Sequence, residues 1–232
     1  VSVLSDRQGR YAIPNLPAGA YQVRIRAPGY RADPRNGVQL AANQNMAQDF
    51  ALTGDTVRWS DLSQYQGTVL FPAALGNNVL KGKDILVGRC FACHGFQTRM
   101  ASVKHDENGW RDRVNYMRGA MHFFLDSAAP FTDRNADDVT AYINLLFGEN
   151  SVLPASPAGM PAYKNLVRNF GDEAMRIVYV EYDIPAKSRM PWSAVEDKDG
   201  KFWVPYYGAA NRIGRLDPKT GEVAEFRVPN QD

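Results

Sequence analysis

The sequence predicts a multidomain chain that contains a β-sandwich, an all-α segment and part of a β-propeller. Three observations support this fold class. Apolar and polar residues alternate at the start, apolar residues recur at helical spacing in the middle, and two similar stretches, VYVEYDIP and EVAEFRVP, lie 44 residues apart near the end. We therefore place the parts at 1–54, 55–150 and 171–232, with a linker at 151–170.

Composition and charge argue against a membrane-spanning helix and against a nucleic-acid-binding protein. The chain has 232 residues, of which 44% are hydrophobic, and a formal net charge of +2. This length allows more than one hydrophobic core, and no apolar run approaches the ~20 residues that a membrane-spanning helix needs. Lysines and arginines are not concentrated in one basic stretch, so we expect no nucleic-acid partner.

The first part has the spacing of a β-strand. In GAYQVRIRAPGY, Tyr21, Val23 and Ile25 are separated by polar residues, as a strand with one buried face requires. Turn sequences at 6–9 and 17–19 each precede a predicted strand, and another at 28–29 follows. The pattern predicts a small antiparallel β-sandwich.

These residues also resemble a known family. SDRQGRYAIPNLPAGAYQVRIRAPGY is similar to the carboxypeptidase regulatory-like domain, which is transthyretin-like or Ig-like, through the patterns D-x-x-G-x-Y and L-P-x-G-x-Y. The resemblance implies an Ig-like β-sandwich at 1–54 that begins inside the domain. It also implies a spacer or docking role rather than catalysis.

The middle part has helical spacing. One helix is predicted to begin after Thr132, to end before Gly148, and to present one apolar face that contains Val139, Tyr142, Ile143 and Leu146. A second is predicted near 108–118, with Trp110, Val114 and Met117 on one face. A third, GKDILVGRC, leads into the cysteines.

Both cysteines of the chain lie in one short motif. In GRCFACHGFQTRM, Cys90 and Cys93 are followed at once by His94, which is the attachment pattern of c-type haem. Two thioether bonds would hold the haem, and the histidine would bind its iron. A zinc site would need two more ligands, for which only His105 and His122 remain. A thioredoxin-like dithiol would need a strand before the motif, where we expect a helix. We predict one covalent haem.

The second axial ligand decides between an electron carrier and a haem that binds small molecules. The candidates are Met100, Met117, Met121, His105 and His122. Met100 lies too close to His94 in sequence to cross the porphyrin. Met117 and Met121 both lie where a loop over the distal face is expected, so the spacing alone leaves both of them open. Coordination by His122 stays open.

Residues 82–148 resemble a class I monohaem cytochrome c. GWRDRVNYM matches its W-x-x-x-V-x-x-M pattern, and AYINLLFG matches its terminal Y-[IL]-x-x-x-F-G helix. The resemblance implies an all-α cytochrome c domain at 55–150. In it Met117 would bind iron, while Trp110, Tyr142 and Phe147 would pack on the ring. The family's Gly-Pro pair after the motif is missing, so the acceptor for the His94 ring is not identified.

The last part predicts strands joined by tight turns. FWVPYY and RIGRLD are alternating runs bounded by Asp-Gly and Lys-Thr-Gly turns, and the repeat distance fits the ~40–50 residues of a four-stranded blade. The stretch resembles virginiamycin B lyase-like propellers, which implies that 171–232 is a first blade. We expect further blades after it, because one blade cannot bury both of its faces. Prolines at 154, 157 and 161 predict an extended linker at 151–170.

We predict an electron carrier rather than an enzyme. All three histidines lie in the middle part, so the propeller part offers no histidine base. Covalent haem implies a periplasmic location or another outside the cytoplasmic membrane, and basic residues near the motif favour acidic protein redox partners, including subunits of a larger complex. Two alternatives stay open: an accessory haem-bearing subunit of a membrane complex, and a propeller dehydrogenase whose active site lies in other blades.

Overall fold

A computed structural model describes most of the chain, at residues 1–73, 79–127, 129–166, 173–186, 189, 191–206 and 210–229. The chain divides into two units. One comprises Pro17–Arg168, and the other combines Val1–Leu16 with Asn169–Asp232. Within the described ranges, no helix has both the length and the apolar character that crossing a bilayer requires.

The first unit begins with two small antiparallel sheets. Strand β1 (Gly19–Val23) pairs with β3 (Arg35–Leu40), and β2 (Tyr30–Arg31) pairs with β4 (Thr53–Gly54). The predicted alternation is confirmed, because Tyr21, Val23 and Ile25 are half-buried and the residues between them are exposed. These small sheets are consistent with the start of an Ig-like domain.

The sequence predicts a strand directly after the turn at 6–9, and this prediction is wrong. The turn itself is present: the Gly9 N–H donates to the Asp6 carbonyl over 3.0 Å, and Gly9 has a φ of +78°. Arg10 is held by the same turn. Its N–H donates to the Asp6 carboxylate over 2.7 Å, and its carbonyl accepts from the Asp6 N–H over 2.8 Å. These backbone groups are therefore not available to a strand ladder.

After β4, the described residues of the first unit contain α-helices, three of which the spacing predicts. They are α1 (Gln64–Leu70), α2 (Val79–Ile85), α3 (Glu107–Ala120), α4 (His122–Leu125) and α5 (Asp133–Phe147). Helix α5 begins after Thr132, whose side chain accepts from the Asn135 N–H, and ends before Gly148. Both of its predicted ends are confirmed.

Helix α2 and helix α5 cross at a glycine. A Cβ atom on Gly82 would lie 2.3 Å from the Asp138 carbonyl oxygen and 2.6 Å from the Tyr142 Cβ. Tyr142 is fully buried, and its hydroxyl donates to the Pro72 carbonyl over 2.9 Å. The two backbones can therefore approach this closely only because residue 82 has no side chain.

An aromatic cluster holds the cysteine motif against the helices. The Phe71 ring centroid lies 5.0 Å from that of Phe96 and 5.7 Å from that of Phe147, and Phe96 also stacks on Phe147 at 5.9 Å. Phe91 and Trp59 complete the cluster. Because Phe91 and Phe96 flank Cys93 and His94 in sequence, their burial fixes the motif to the core.

The proline-rich segment belongs to the first unit and packs against the rest of it up to residue 166, where this described range ends. The Trp59 Nε1–H donates to the Pro154 carbonyl over 2.8 Å, and the Ser156 hydroxyl donates to the Val57 carbonyl over 2.9 Å. Leu166 is buried. The extended linker predicted at 151–170 is thus wrong for these residues, because side chains elsewhere in the unit bond to its backbone.

The second unit contains a four-stranded antiparallel sheet. Its strands β5 (Val195–Glu196), β6 (Phe202–Pro205), β7 (Arg212–Leu216) and β8 (Val223–Arg227) pair in chain order. One propeller blade has this strand number and order, and the propeller itself stays a prediction. The two repeated stretches differ in structure. EVAEFRVP contains β8, whereas VYVEYDIP forms no strand and is bridged to Ser2 at Tyr179.

The α2–α5 crossing gives a stability prediction. We expect Gly82→Ala to lower the free energy of unfolding of the helical unit by about 1–3 kcal/mol, because the added methyl group would overlap the α5 backbone. Urea unfolding, followed by the helical circular dichroism signal, measures the change.

Gly119→Ala in α3 is the matched control. A Cβ atom there meets no atom within 4 Å, so the substitution should leave stability unchanged or raise it by about 0.5–1 kcal/mol. Equal effects of the two substitutions would contradict the close crossing.

Candidate functional site

A cavity of about 280 Å³ lies in the helical unit, between the cysteine motif, α3, α4 and α5. This volume is near the lower end of the roughly 300–1,000 Å³ typical of ligand sites. Six of the predicted site residues line it: Cys90, Cys93, His94, Trp110, Met117 and Met121. Residues far apart in sequence therefore meet at one cavity.

A widened helical turn carries the motif. At the end of α2 the helix continues over Leu86–Cys90 with a wider turn, in which the Phe91 N–H donates to the Leu86 carbonyl over 2.9 Å. Cys90 is half-buried there, and Cys93, one turn later, is exposed. Both thiols are free.

The surroundings of Cys90 oppose thiolate chemistry. Burial raises the pKa of the Cys90 thiol to about 11, and the neighbouring Cys93 adds to the rise. The thiolate is the nucleophile of a redox dithiol and the ligand of a zinc site. Less thiolate is therefore available at Cys90 than at an ordinary cysteine, which disfavours a redox dithiol.

His94 is oriented by the next residue. Its Nδ1 lies 3.0 Å from the Gly95 carbonyl oxygen, and a carbonyl can only accept. Nδ1 therefore carries the proton and Nε2 carries the lone pair that a metal requires. This carbonyl is the acceptor that the sequence did not identify. A side chain at residue 95 would collide with Gln97, since a Cβ atom would lie 2.1 Å from its Oε1.

Both predicted methionines reach the cavity. Met117 is half-buried on α3, and Met121 is 3% exposed at the junction of α3 and α4. Two other candidates line the cavity as well, because the turn Gln97–Ala101 brings Met100 inward and His105 lies 4.8 Å from the Trp110 ring, centroid to centroid.

The structure separates three predicted residues from the cavity. His122 is exposed, does not line the cavity, and has its Nδ1 3.2 Å from the Gly119 carbonyl oxygen. Tyr142 is also outside the lining, since its Cβ atom faces Gly82 of α2 and its hydroxyl donates to the Pro72 carbonyl. Phe147 belongs to the aromatic cluster instead. Both residues are part of the core that supports the site, and the ring contacts predicted for them stay a prediction.

Arg89 is one of the basic residues near the motif, and the structure gives it a further role that the sequence did not indicate. Its guanidinium donates to the carbonyls of Leu125 and Ala129 over 2.8 and 2.9 Å, and lies 5.9 Å from the Phe131 ring centroid. It thus ties the motif turn to the segment after α4. Only its position directly before Cys90 could have indicated this role, because backbone carbonyls leave no sequence pattern.

The difference between the two thiols can be measured. In the chain produced without haem, we expect iodoacetamide at pH 8 to alkylate the exposed Cys93 faster than Cys90, because burial raises the pKa of the Cys90 thiol and so lowers its thiolate fraction. Peptide mass spectrometry over time gives both rates. Cys93→Ser isolates the Cys90 rate, and equal rates at the two sites would contradict the buried position of Cys90.

Comparison with known proteins supports the N-terminal part. No curated protein and no solved structure gives a significant match to this chain. Residues 1–53 match the carboxypeptidase regulatory-like domain, which agrees with the resemblance seen in D-x-x-G-x-Y and L-P-x-G-x-Y. The chain therefore carries a carboxypeptidase regulatory-like domain at residues 1–53.

Proposed function

We propose that this chain is a c-type cytochrome that transfers single electrons between protein partners. One observation carries the proposal: the C-x-x-C-H turn and two methionines, distant in sequence, line the same cavity. Either element alone would be weak support, because methionines and cysteines are common core residues. Together they supply the ligand types that a covalent haem requires.

The residues present fit a haem. Cys90 and Cys93 would hold it through thioether bonds, and both thiols are free for this. His94 would bind the iron through Nε2, because its Nδ1 proton is engaged by Gly95. Met117 is our first choice for the second axial ligand, and Met121 is the alternative. When bound, the haem supplies an iron that alternates between the ferric and ferrous states.

The remaining lining residues would keep water from the site. Leu125 and Phe131 are buried, and Ile143 of α5 is 3% exposed. An apolar surrounding and a thioether ligand both favour the ferrous state and so raise the reduction potential. These side chains would therefore raise the reduction potential of the haem through the apolar environment that they provide.

Partner and location follow from the same proposal. Tyr116 and Val103 line the cavity and are 63% and 37% exposed, so one side of the cavity reaches the protein surface. Arg99 and Arg113 are exposed beside them and would attract an acidic redox partner.

We place the protein in the periplasm or in an equivalent space outside the cytoplasmic membrane, as a subunit of a larger complex. The regulatory-like domain would act as a spacer or docking surface.

Covalent haem attachment is the first test. The chain, produced with a c-type haem attachment system, should gain the mass of one haem and give a haemochrome spectrum of the thioether-bonded type. Cys90→Ala with Cys93→Ala should abolish the added mass. An unchanged mass of the native sequence would refute the proposal.

The second axial ligand is tested by substitution. We expect Met117→Leu to remove the far-red charge-transfer band that methionine ligation gives the ferric protein, and to lower the reduction potential, because a sulfur ligand to ferrous iron is lost. Met121→Leu should keep the band, and the exposed Met46→Leu is the control. If only the Met121→Leu variant loses the band, the ligand is Met121. If both the Met117→Leu and the Met121→Leu variants keep the band, neither methionine is the ligand.

A further inference from the structure

One part of the cavity wall is a short segment whose position depends on contacts from elsewhere in the chain. This α4 segment comprises residues 121–127 and 129–131, and its helix has only four residues. A helix of one turn is not stable alone, because it gains too few hydrogen bonds to offset the ordering of its backbone. Met121, Leu125 and Phe131 of the segment nevertheless line the cavity and are buried. Other residues must therefore fix the segment.

Arg89 provides such a contact at the end of α4. Leu125 is the last residue of the helix, so its carbonyl has no partner within the helix. The Arg89 Nη1 donates to this carbonyl over 2.8 Å and to the Ala129 carbonyl over 2.9 Å. The same guanidinium lies 5.9 Å from the Phe131 ring centroid. One side chain thus caps α4 and contacts the chain that follows it.

The contact continues from Leu125 to Met121. The Leu125 N–H donates to the Met121 carbonyl over 2.9 Å, and the Phe124 N–H donates to the same carbonyl over 3.0 Å. Leu125 is therefore bonded to Met121 through its N–H and to Arg89 through its carbonyl. Since Arg89 directly precedes Cys90, these bonds connect the cysteine turn to the methionine at the start of α4.

A further contact holds the α4 segment without Arg89. The Phe131 N–H donates to the Asp126 carboxylate over 2.7 Å, which closes the loop after α4. Removal of the guanidinium should therefore loosen the segment rather than unfold it.

We propose that Arg89 is the positioning residue that keeps the α4 segment closed over the cavity and so excludes small external ligands from the second axial position of the haem. This inference rests on the proposed function. An external ligand has to displace the methionine and find room beside Met121, Leu125 and Phe131, which requires the segment to move. Hydrogen bonds from a charged donor are stronger than neutral ones, so they make this movement rare. Arg89 would thus favour an electron carrier over a haem that binds small molecules.

Imidazole binding to the ferric, haem-bearing protein tests this role. We expect Arg89→Leu to bind imidazole at least about tenfold more tightly than the native protein, because both hydrogen bonds from the guanidinium are lost. Arg89→Lys keeps the charge and can still donate to the Leu125 carbonyl, but it lacks the planar group beside Phe131. Its dissociation constant should be intermediate. Titration followed by the Soret band measures all three constants.

Arg113→Leu is the matched control. It removes the same charge from the same cavity lining, but Arg113 forms no hydrogen bond or ion pair within the part of the chain that the structure describes. Its affinity for imidazole should stay near that of the native protein.

Hydrogen exchange gives a readout that does not depend on ligand binding. The amides of Leu125 and Phe131 should exchange faster in Arg89→Leu than in the native protein, and Arg113→Leu should leave them unchanged. The measurement can be made both on the haem-bearing protein and on the chain produced without haem.

The outcomes separate this inference from the function on which it rests. Native imidazole affinity in Arg89→Leu, or an equal gain in Arg113→Leu, would overturn the positioning role and leave the cytochrome proposal standing. If Arg89→Leu takes up no haem, Arg89→Lys carries the comparison, and native affinity in that variant would have the same meaning. A native chain that gains no haem would overturn both proposals.

Discussion

The contact of α2 with α5 at Gly82 is the constraint on which the site depends. Since no side chain separates the two backbones, the end of α2 has one position relative to α5. The cysteine motif begins where α2 widens into the Leu86–Cys90 turn, so its position follows from that contact. Tyr142, whose Cβ atom faces Gly82, is fully buried, and its hydroxyl anchors this side of α5 to the Pro72 carbonyl.

Two further anchors hold the motif from opposite ends. Arg89, just before the first cysteine, bonds to backbone carbonyls at the end of α4 and just after it, while Phe96, just after the histidine, is fully buried against Phe71 and Phe147. The short stretch between them carries the thiols and the imidazole. Under the proposed function, the groups that would hold the haem are thus carried on a segment whose ends are both fixed, which would limit the rearrangement that binding needs.

Features that depend on residues nearby in the chain could be predicted from the sequence, whereas features that depend on contacts between distant residues could not. Helix α5 was predictable because its cap, its apolar spacing and its terminal glycine are all local features. The position of Tyr142 was not, because a helix face shows burial without showing whether a cofactor or another helix covers it. Similarly, VYVEYDIP and EVAEFRVP share a pattern, but strand pairing depends on the partner available, and Tyr179 pairs with Ser2.

The hydrogen bond of His94 to Gly95 has a consequence for the order of events during biogenesis. Donor and acceptor are adjacent in the chain, so the bond closes without any contact from α3 or α5. An unfolded chain can therefore form the bond without any tertiary contact. The imidazole would then present its coordinating nitrogen before tertiary packing exists, which suits a prosthetic group that is joined to the polypeptide ahead of folding.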